Sequence, residues 1–146
     1  MSLLIPTRTF QDVMHAEFSW NWDDTMINAS GASTDFKTAA AHVVDCIPLP
    51  AGAVVLGGGL EVLTTFATVT TYAVIVGDSA TTDRYLSTAD RKAAASTVAL
   101  VPTGYVSLGE NIRLTITPTG TDASAGKATL RVSYVVNGRA TGSQIT

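Results

Sequence analysis

Apolar and polar residues alternate along much of this chain with a period of two, the pattern expected of half-buried β-strands. The alternation is clearest in two segments near the end, 112–117 and 128–136, where Ile, Leu, Val and Ala residues alternate mostly with Arg, Thr and Ser. A connection rich in Gly, Asp and Ser, 119–126, separates the two segments. Two matched segments around such a connection predict an antiparallel hairpin.

Further strands are predicted wherever apolar runs or alternating residues are bounded by turn-forming residues. They lie at 11–20, 41–49, 53–56, 60–66, 70–76, 84–86, 98–100 and 105–108. The strand at 70–76 is apolar on both faces, which is typical of a central, doubly covered strand. Three glycines at 57–59 predict a sharp reversal or a bulge between two strands. The Ala-rich segment 87–96 fits either a helical turn or a loop, and the polar segments 21–36 and 77–83 are expected to be surface loops.

About eight short strands, and no stretch that keeps a helical period for three turns, predict an all-β fold. The expected architecture is an antiparallel β-sandwich, jelly-roll-like or a related Greek-key barrel. The length fits one domain. Residues 1–38 are expected to form an N-terminal arm, a first strand and a loop, packed on a β-sandwich body at 39–146. The arm is expected to be extended, and its apolar residues are Leu3, Leu4, Ile5 and Phe10.

Composition and charge narrow the possible functions. The 146 residues carry a net charge of −3, with 14% charged and 46% hydrophobic residues. Such a chain is expected to fold, because disordered chains are charge-rich and apolar-poor, and it lacks the basic surface that would bind nucleic acid. The longest apolar stretch, 72–76, is too short to cross a bilayer, and no secretory signal is expected. So little charge on a small domain suggests that another copy or another protein covers part of its surface.

One motif resembles a catalytic block. The apolar strand that runs into Gly77, Asp78 and Ser79 looks like the nucleophile segment of SGNH esterases, in which the serine needs a histidine base and an aspartate. The only Asp-x-x-His string, Asp12 to His15, precedes the serine instead of following it, and the crossover helices of that α/β family are missing. Asp78 and Ser79 are therefore expected to cap backbone groups in a loop.

Metal and cofactor chemistry is not expected either. His42 and Cys46 are four residues apart on a predicted strand, without the second pair of ligands that zinc requires. The glycines at 57–59 lack the Gly-Lys-Ser/Thr ending of a phosphate loop. No catalytic, cofactor-binding or metal-binding residue is predicted. Of the two tryptophans, Trp20 fits the core face of its strand, whereas Trp22 is expected at a subunit or capsid interface, with a sugar-stacking platform as the alternative.

Several strings of this sequence together resemble small virion proteins of tailed bacteriophages. The apolar strand with a Gly-Asp-Ser…Asp-Arg-Tyr loop is the most distinctive of them. The strings lie at 55–62, 72–79, 83–86, 109–112, 117–120, 125–127 and 132–139. The resemblance covers roughly residues 41–140 and is closest to head decoration, or cement, proteins.

This resemblance implies a compact β domain, often a homotrimer, that sits on the outer surface of the phage head and binds the major capsid protein. A non-enzymatic structural role is expected. We predict that the apolar arm packs on a neighbouring subunit or adds a strand to its sheet edge, with Leu3, Leu4, Ile5, Phe10 and Trp22 as interface residues. The alternatives are a tail or fibre-base virion protein and a carbohydrate-binding β module.

Overall fold

The computed structural model describes residues 11–138, and every regular element in that range is a β-strand. The strands are β1 (Met14–Asn21), β2 (Thr25–Ile27), β3 (Ser33–Asp35), β4 (His42–Ile47), β5 (Ala53–Gly77), β6 (Leu86–Asp90), β7 (Thr97–Ala99) and β8 (Ile112–Val136). All strand pairs are antiparallel, so the predicted all-β antiparallel fold is confirmed. No helix in the described range is long and apolar enough to cross a membrane.

Two strands of 25 residues, β5 and β8, form the centre of the fold. They pair along their whole length, from Ala53 opposite Val136 to Gly77 opposite Arg113. One half of this long ribbon is flanked by β1 and β7, and the other half is flanked by β4 and β6. The ribbon therefore carries two four-stranded regions, in the orders β1–β8–β5–β7 and β4–β8–β5–β6.

The two regions bury their apolar rows in one common core, as in a β-sandwich. Trp20 comes from β1 in the first region and Tyr72 from β5 in the second, and the indole Nε1 donates to the Tyr72 hydroxyl at 3.1 Å. That hydroxyl in turn donates to the carbonyl oxygen of Phe36 at 3.1 Å. The ring of Phe66 stacks on Tyr72 with the centroids 3.6 Å apart. A buried polar chain thus links the two regions through otherwise apolar surroundings.

The predicted hairpin of 112–117 and 128–136 is wrong, because both segments belong to the single strand β8. Each segment pairs with a different half of β5, and the polar connection between them pairs with the middle of β5, where Ala125 lies opposite Ala67. The register shifts several times there, as a bent ribbon requires. Gly126 makes room for the core at this bend, since a Cβ on it would lie 2.0 Å from the Phe66 ring.

The glycines at 57–59 do not reverse the chain, because β5 runs straight through them. The bulge alternative is confirmed: the pairing with β8 shifts between Val55 and Gly57. Gly58 adopts a φ of +137°, and a Cβ on it would lie 2.0 Å from the carbonyl oxygen of Arg131. Glycine is thus required at this close approach of the backbones of β5 and β8.

Two predicted loops contain strands. The segment 21–36 forms the small hairpin of β2 and β3, with Met26 opposite Thr34. The segment 87–96 begins inside β6, which pairs with β5, so its helical-turn alternative is wrong. The loop at 77–83 is confirmed.

Candidate assembly surfaces

Trp22 is the predicted interface residue that the structure describes, whereas Leu3, Leu4, Ile5 and Phe10 lie outside the described residues. The backbone N–H of Trp22 donates to the carbonyl of Gly126 at 3.0 Å, just beyond the end of β1. Its ring is half-buried against the core, and the Lys37 ammonium lies 5.9 Å from the ring centroid. Trp22 therefore offers one partly covered aromatic face at the surface, while Trp20, only 1% exposed, belongs to the core as predicted.

One side of β1 is an unpaired sheet edge. β1 pairs with β8 on one side, and among the strands of residues 11–138 none pairs with its other side. The N–H of Trp22 donates to Gly126 in β8, and in an antiparallel pair only every second residue bonds to the partner strand. The N–H and C=O groups of the residues in between, His15, Glu17 and Ser19, therefore point away from β8. The sequence indicated a strand here but not that it would lie at an edge.

A cavity of about 170 Å³ opens beside this edge, between β1 and the hairpin of β2 and β3. Its apolar walls are Phe18, Trp20, Met26 and Phe36, and its polar rim is formed by Ser19, Asp24 and Thr25. The rings of Phe18 and Trp20 stack with centroids 5.8 Å apart, which fixes the wall on the β1 side. A space of this size accommodates a benzene-sized apolar group, or one aliphatic side chain.

A wider groove of about 550 Å³ lies on the solvent face of the first region, across β1, β8, β5 and β7. Gly58 and Gly59 leave its floor without side chains. Arg131 lies between two carboxylates, with Nη1 2.8 Å from Glu61 and Nε 3.4 Å from Glu17. The hydrogen bond from Arg131 to Glu61 is the main cause of the raised pKa of Arg131. One guanidinium faces two carboxylates, so this cluster keeps a net negative charge beside the glycine backbone of the groove.

Exposed apolar side chains gather around the start of β5. Val106 forms an isolated bridge with Val54 in β5, and it is 40% exposed. Leu56 and Val101 are also exposed, and Leu108 is 81% exposed. These side chains are candidates for contacts with other proteins.

The loop that follows Gly77 is held together by Asp78, as predicted. The buried carboxylate accepts hydrogen bonds from the N–H groups of Ala80 and Thr81, and the Arg84 Nε donates to it at 2.5 Å. The Arg84 guanidinium lies 3.5 Å from the centroid of the Tyr105 ring. Asp78 therefore shapes a loop rather than orienting a catalytic histidine.

The histidine and the cysteine of β4 make structural contacts. His42 is buried, with Nδ1 2.7 Å from the Thr34 hydroxyl and Nε2 2.8 Å from the Thr38 carbonyl. Burial raises the pKa of the Cys46 thiol to about 12, so the thiol stays protonated and unreactive. Within residues 11–138, no group of three or more His, Cys, Asp or Glu side chains is arranged to hold a metal ion.

Glu110 is the clearest acid-sensitive group. The Tyr105 hydroxyl donates to its carboxylate at 2.8 Å and the Leu108 N–H donates at 2.7 Å. These hydrogen bonds lower the pKa of Glu110 from 4.5 to about 2, and the bond from Tyr105 has the largest effect. A carboxyl group whose pKa is lower in the folded chain than in the unfolded chain stabilises the fold at pH values above its unfolded-state pKa. This stabilisation is lost as the pH falls through its folded-state pKa.

We expect Glu110→Gln to reduce stability at pH 7, and the difference from the unmodified chain to shrink between pH 4.5 and about 2. Urea unfolding over this pH range measures it. Tyr105→Phe keeps the carboxylate but removes its main donor, so it should retain part of the pH dependence. A constant difference between Glu110→Gln and the unmodified chain at every pH would contradict the assignment.

Chains of three solved phage capsid structures have this fold, although no protein-family model and no curated protein matches the sequence. A chain in the capsid asymmetric unit of cyanophage Pam1 is 27% identical, with 93% of this chain and 94% of that chain covered and a TM-score of 0.55. A chain of the acid-stable capsid of Helicobacter pylori bacteriophage KHP30 is 19% identical, with coverage of 93% and 96% and a TM-score of 0.62. A chain of the Ralstonia phage GP4 capsid is 15% identical, with coverage of 99% and 93% and a TM-score of 0.53. These last two similarities concern the fold alone.

Proposed function

We propose that this chain is a decoration protein on the outer surface of a bacteriophage head, where homotrimers bind the major capsid protein and stabilise the shell without catalysing a reaction. The observation that carries the proposal is the 27% identity to a chain of the Pam1 capsid asymmetric unit. The similarity spans 93% of this chain and 94% of that one, so it concerns the whole domain rather than a shared motif.

The strand order supports the same role. When each long strand is counted as two, the fold has eight main strands in two four-stranded sheets, ordered β1–β8–β5–β7 and β4–β8–β5–β6. We interpret this arrangement as a jelly roll. Jelly rolls recur in viral capsid and lectin domains, so the strand order agrees with a virion role.

The surface of the domain supports binding to other proteins. Its net charge is only −3, and exposed apolar side chains surround the start of β5. In the proposed assembly Leu3, Leu4, Ile5 and Phe10 of the arm and the half-buried Trp22 contribute the subunit or capsid contacts. An arm that buries several hundred Å² of apolar surface would contribute on the order of several kcal/mol before ordering costs. Repetition over a lattice would multiply that effect through multivalency.

The proposal is tested by fractionating virions that contain this chain and by adding the purified chain to heads that lack it. We expect the chain in the head fraction, saturable co-sedimentation with bare heads, and a higher temperature of shell rupture. Recovery with tails would instead support a tail or fibre-base protein. Failure to bind heads at all would contradict the decoration role.

Trp22→Ala distinguishes the remaining alternative. If Trp22 is a capsid contact, the variant should bind heads roughly tenfold more weakly, the loss expected for about 1.4 kcal/mol at an aromatic contact. Its melting temperature is measured alongside as a control for folding. Glycan binding that disappears in the same variant, with head binding unchanged, would favour a carbohydrate-binding module.

A further inference from the structure

The outer edge of β1 lacks most of the features that usually protect a sheet edge. Natural edges are short, bulged, covered, or interrupted by proline or charged residues, especially lysine. β1 is eight residues long, contains no proline or lysine and only one charged residue, Glu17, and pairs with β8 without a register shift. An edge of this kind pairs readily with another strand.

The inner face of β1 is also incompletely covered. Met14, Ala16 and Phe18 point toward the core, yet each is only half-buried, in contrast to Trp20 on the same row. The apolar cavity of about 170 Å³ opens next to Phe18. An added strand with aliphatic residues at alternate positions would pair with the open peptide groups, extend this row and fill the cavity.

We propose that the outer edge of β1 accepts the N-terminal segment of a second copy of this chain, with Leu3 or Ile5 inserted into the apolar cavity. This inference rests on the proposed assembly function and names the surface that receives the arm. Leu3 and Ile5 are two residues apart, so both would lie on the same face of an added strand.

The chain outside the described residues favours this occupant. Of the two ends, 1–10 contains three consecutive aliphatic residues, whereas 139–146 is largely polar. The described chain starts at Gln11, whose side chain donates to the Val136 carbonyl and accepts from the Val136 N–H, near the beginning of β1. Ten extended residues span up to about 33 Å, enough to reach a neighbouring subunit.

A second copy is proposed rather than the same chain because a two-residue hairpin turn back onto β1 is disfavoured. Residues 1–13 contain no Gly or Asn, the residues that such turns favour. Each copy donates one arm and offers one edge, a condition that a reciprocal pair and a closed ring both satisfy. Of these arrangements, a ring of three copies agrees with the proposed homotrimer.

Glu17→Pro tests the receiving edge. The N–H of Glu17 points away from β8, so proline removes no hydrogen bond within the sheet but blocks the addition of a strand. We expect the unmodified chain to be oligomeric by light scattering and Glu17→Pro to have the mass of a single chain. Glu17→Ala, which removes the same carboxylate but keeps the N–H, should remain oligomeric.

The arm is tested separately, in a variant that changes no described residue. Leu3→Asp with Ile5→Asp should also give single chains, whereas Ser2→Asp with Arg8→Gln lowers the net charge by the same two units on the opposite face of the added strand and should leave the oligomer intact. In a mixture of the two variants, the Glu17→Pro chain has an intact arm and the Leu3→Asp, Ile5→Asp chain has an intact β1 edge. This mixture should form a 1:1 dimer and nothing larger.

The inference is overturned if the unmodified chain is a single chain in solution. It is also overturned if the arm variant stays oligomeric, or if a Glu17→Pro chain with an unchanged circular dichroism spectrum does so. If Glu17→Pro does not fold, the arm variant and its charge control decide. Binding to bare heads is measured in parallel: arm exchange without head binding contradicts only the decoration role, and head binding without arm exchange contradicts only this inference.

Discussion

Gly58→Ala is expected to lower the free energy of unfolding by about 3–5 kcal/mol, a loss at the upper end for single substitutions. The φ of +137° is strained for any residue with a side chain. The new Cβ would also lie 2.0 Å from the carbonyl oxygen of Arg131 and 2.9 Å from its carbonyl carbon. These are backbone atoms of β8, so relief requires the two longest strands to separate. Urea denaturation measures the loss.

The neighbouring glycine provides the matched control. A Cβ on Gly59 would meet the carbonyl oxygen of Val98 at 3.2 Å, a tight contact that a shift of a few tenths of an ångström relieves, because Val98 lies in the three-residue strand β7. Gly59→Ala should therefore cost less than about 1 kcal/mol. Equal losses at the two positions would mean that the close approach of β5 and β8 is not what requires glycine at Gly58.

Trp20→Ala is expected to cost about 3–5 kcal/mol, the usual range for truncating a buried aromatic residue. The indole is 1% exposed and packs against Phe18 and Phe36, with ring centroids at 5.8 and 6.3 Å. Its Nε1 also donates to the Tyr72 hydroxyl, the hydrogen bond that joins the two four-stranded regions. Truncation would enlarge the adjacent cavity and remove this link. The midpoint of urea unfolding should fall in proportion.

Trp22→Ala is the control for Trp20→Ala, because the same substitution is made two residues further along. The Trp22 ring is half-buried, and the Lys37 ammonium lies 5.9 Å from its centroid. Loss of this contact and of partial burial should cost about 1 kcal/mol. A loss as large as that of Trp20→Ala would assign Trp22 to the core rather than to the surface.

Local sequence was enough to identify most strands. Alternation predicted β1 with Trp20 on its core row, and the apolar run around Val74 predicted a central strand, because burial on one face or on both faces leaves a direct pattern in the residues. The capping role of Asp78 was also predictable, since an aspartate after a glycine bonds to backbone groups only a few residues away. The candidate surfaces were harder to predict from the sequence. The edge of β1 and the ion pair of Glu61 with Arg131 both depend on strands that are distant in sequence.

The residues alone thus established an all-β chain of alternating strands, low surface charge and an apolar beginning. They did not establish which strand pairs with which. The segments 112–117 and 128–136 suit a hairpin and a continuous strand equally well, since either arrangement buries the same apolar row. Strand pairing depends on the burial and hydrogen bonding of the whole domain. Each half of β8 pairs with a different half of β5, and the two resulting four-stranded regions enclose one core. That non-local balance also leaves β1 at the edge, where its position rather than its composition makes it a surface for assembly.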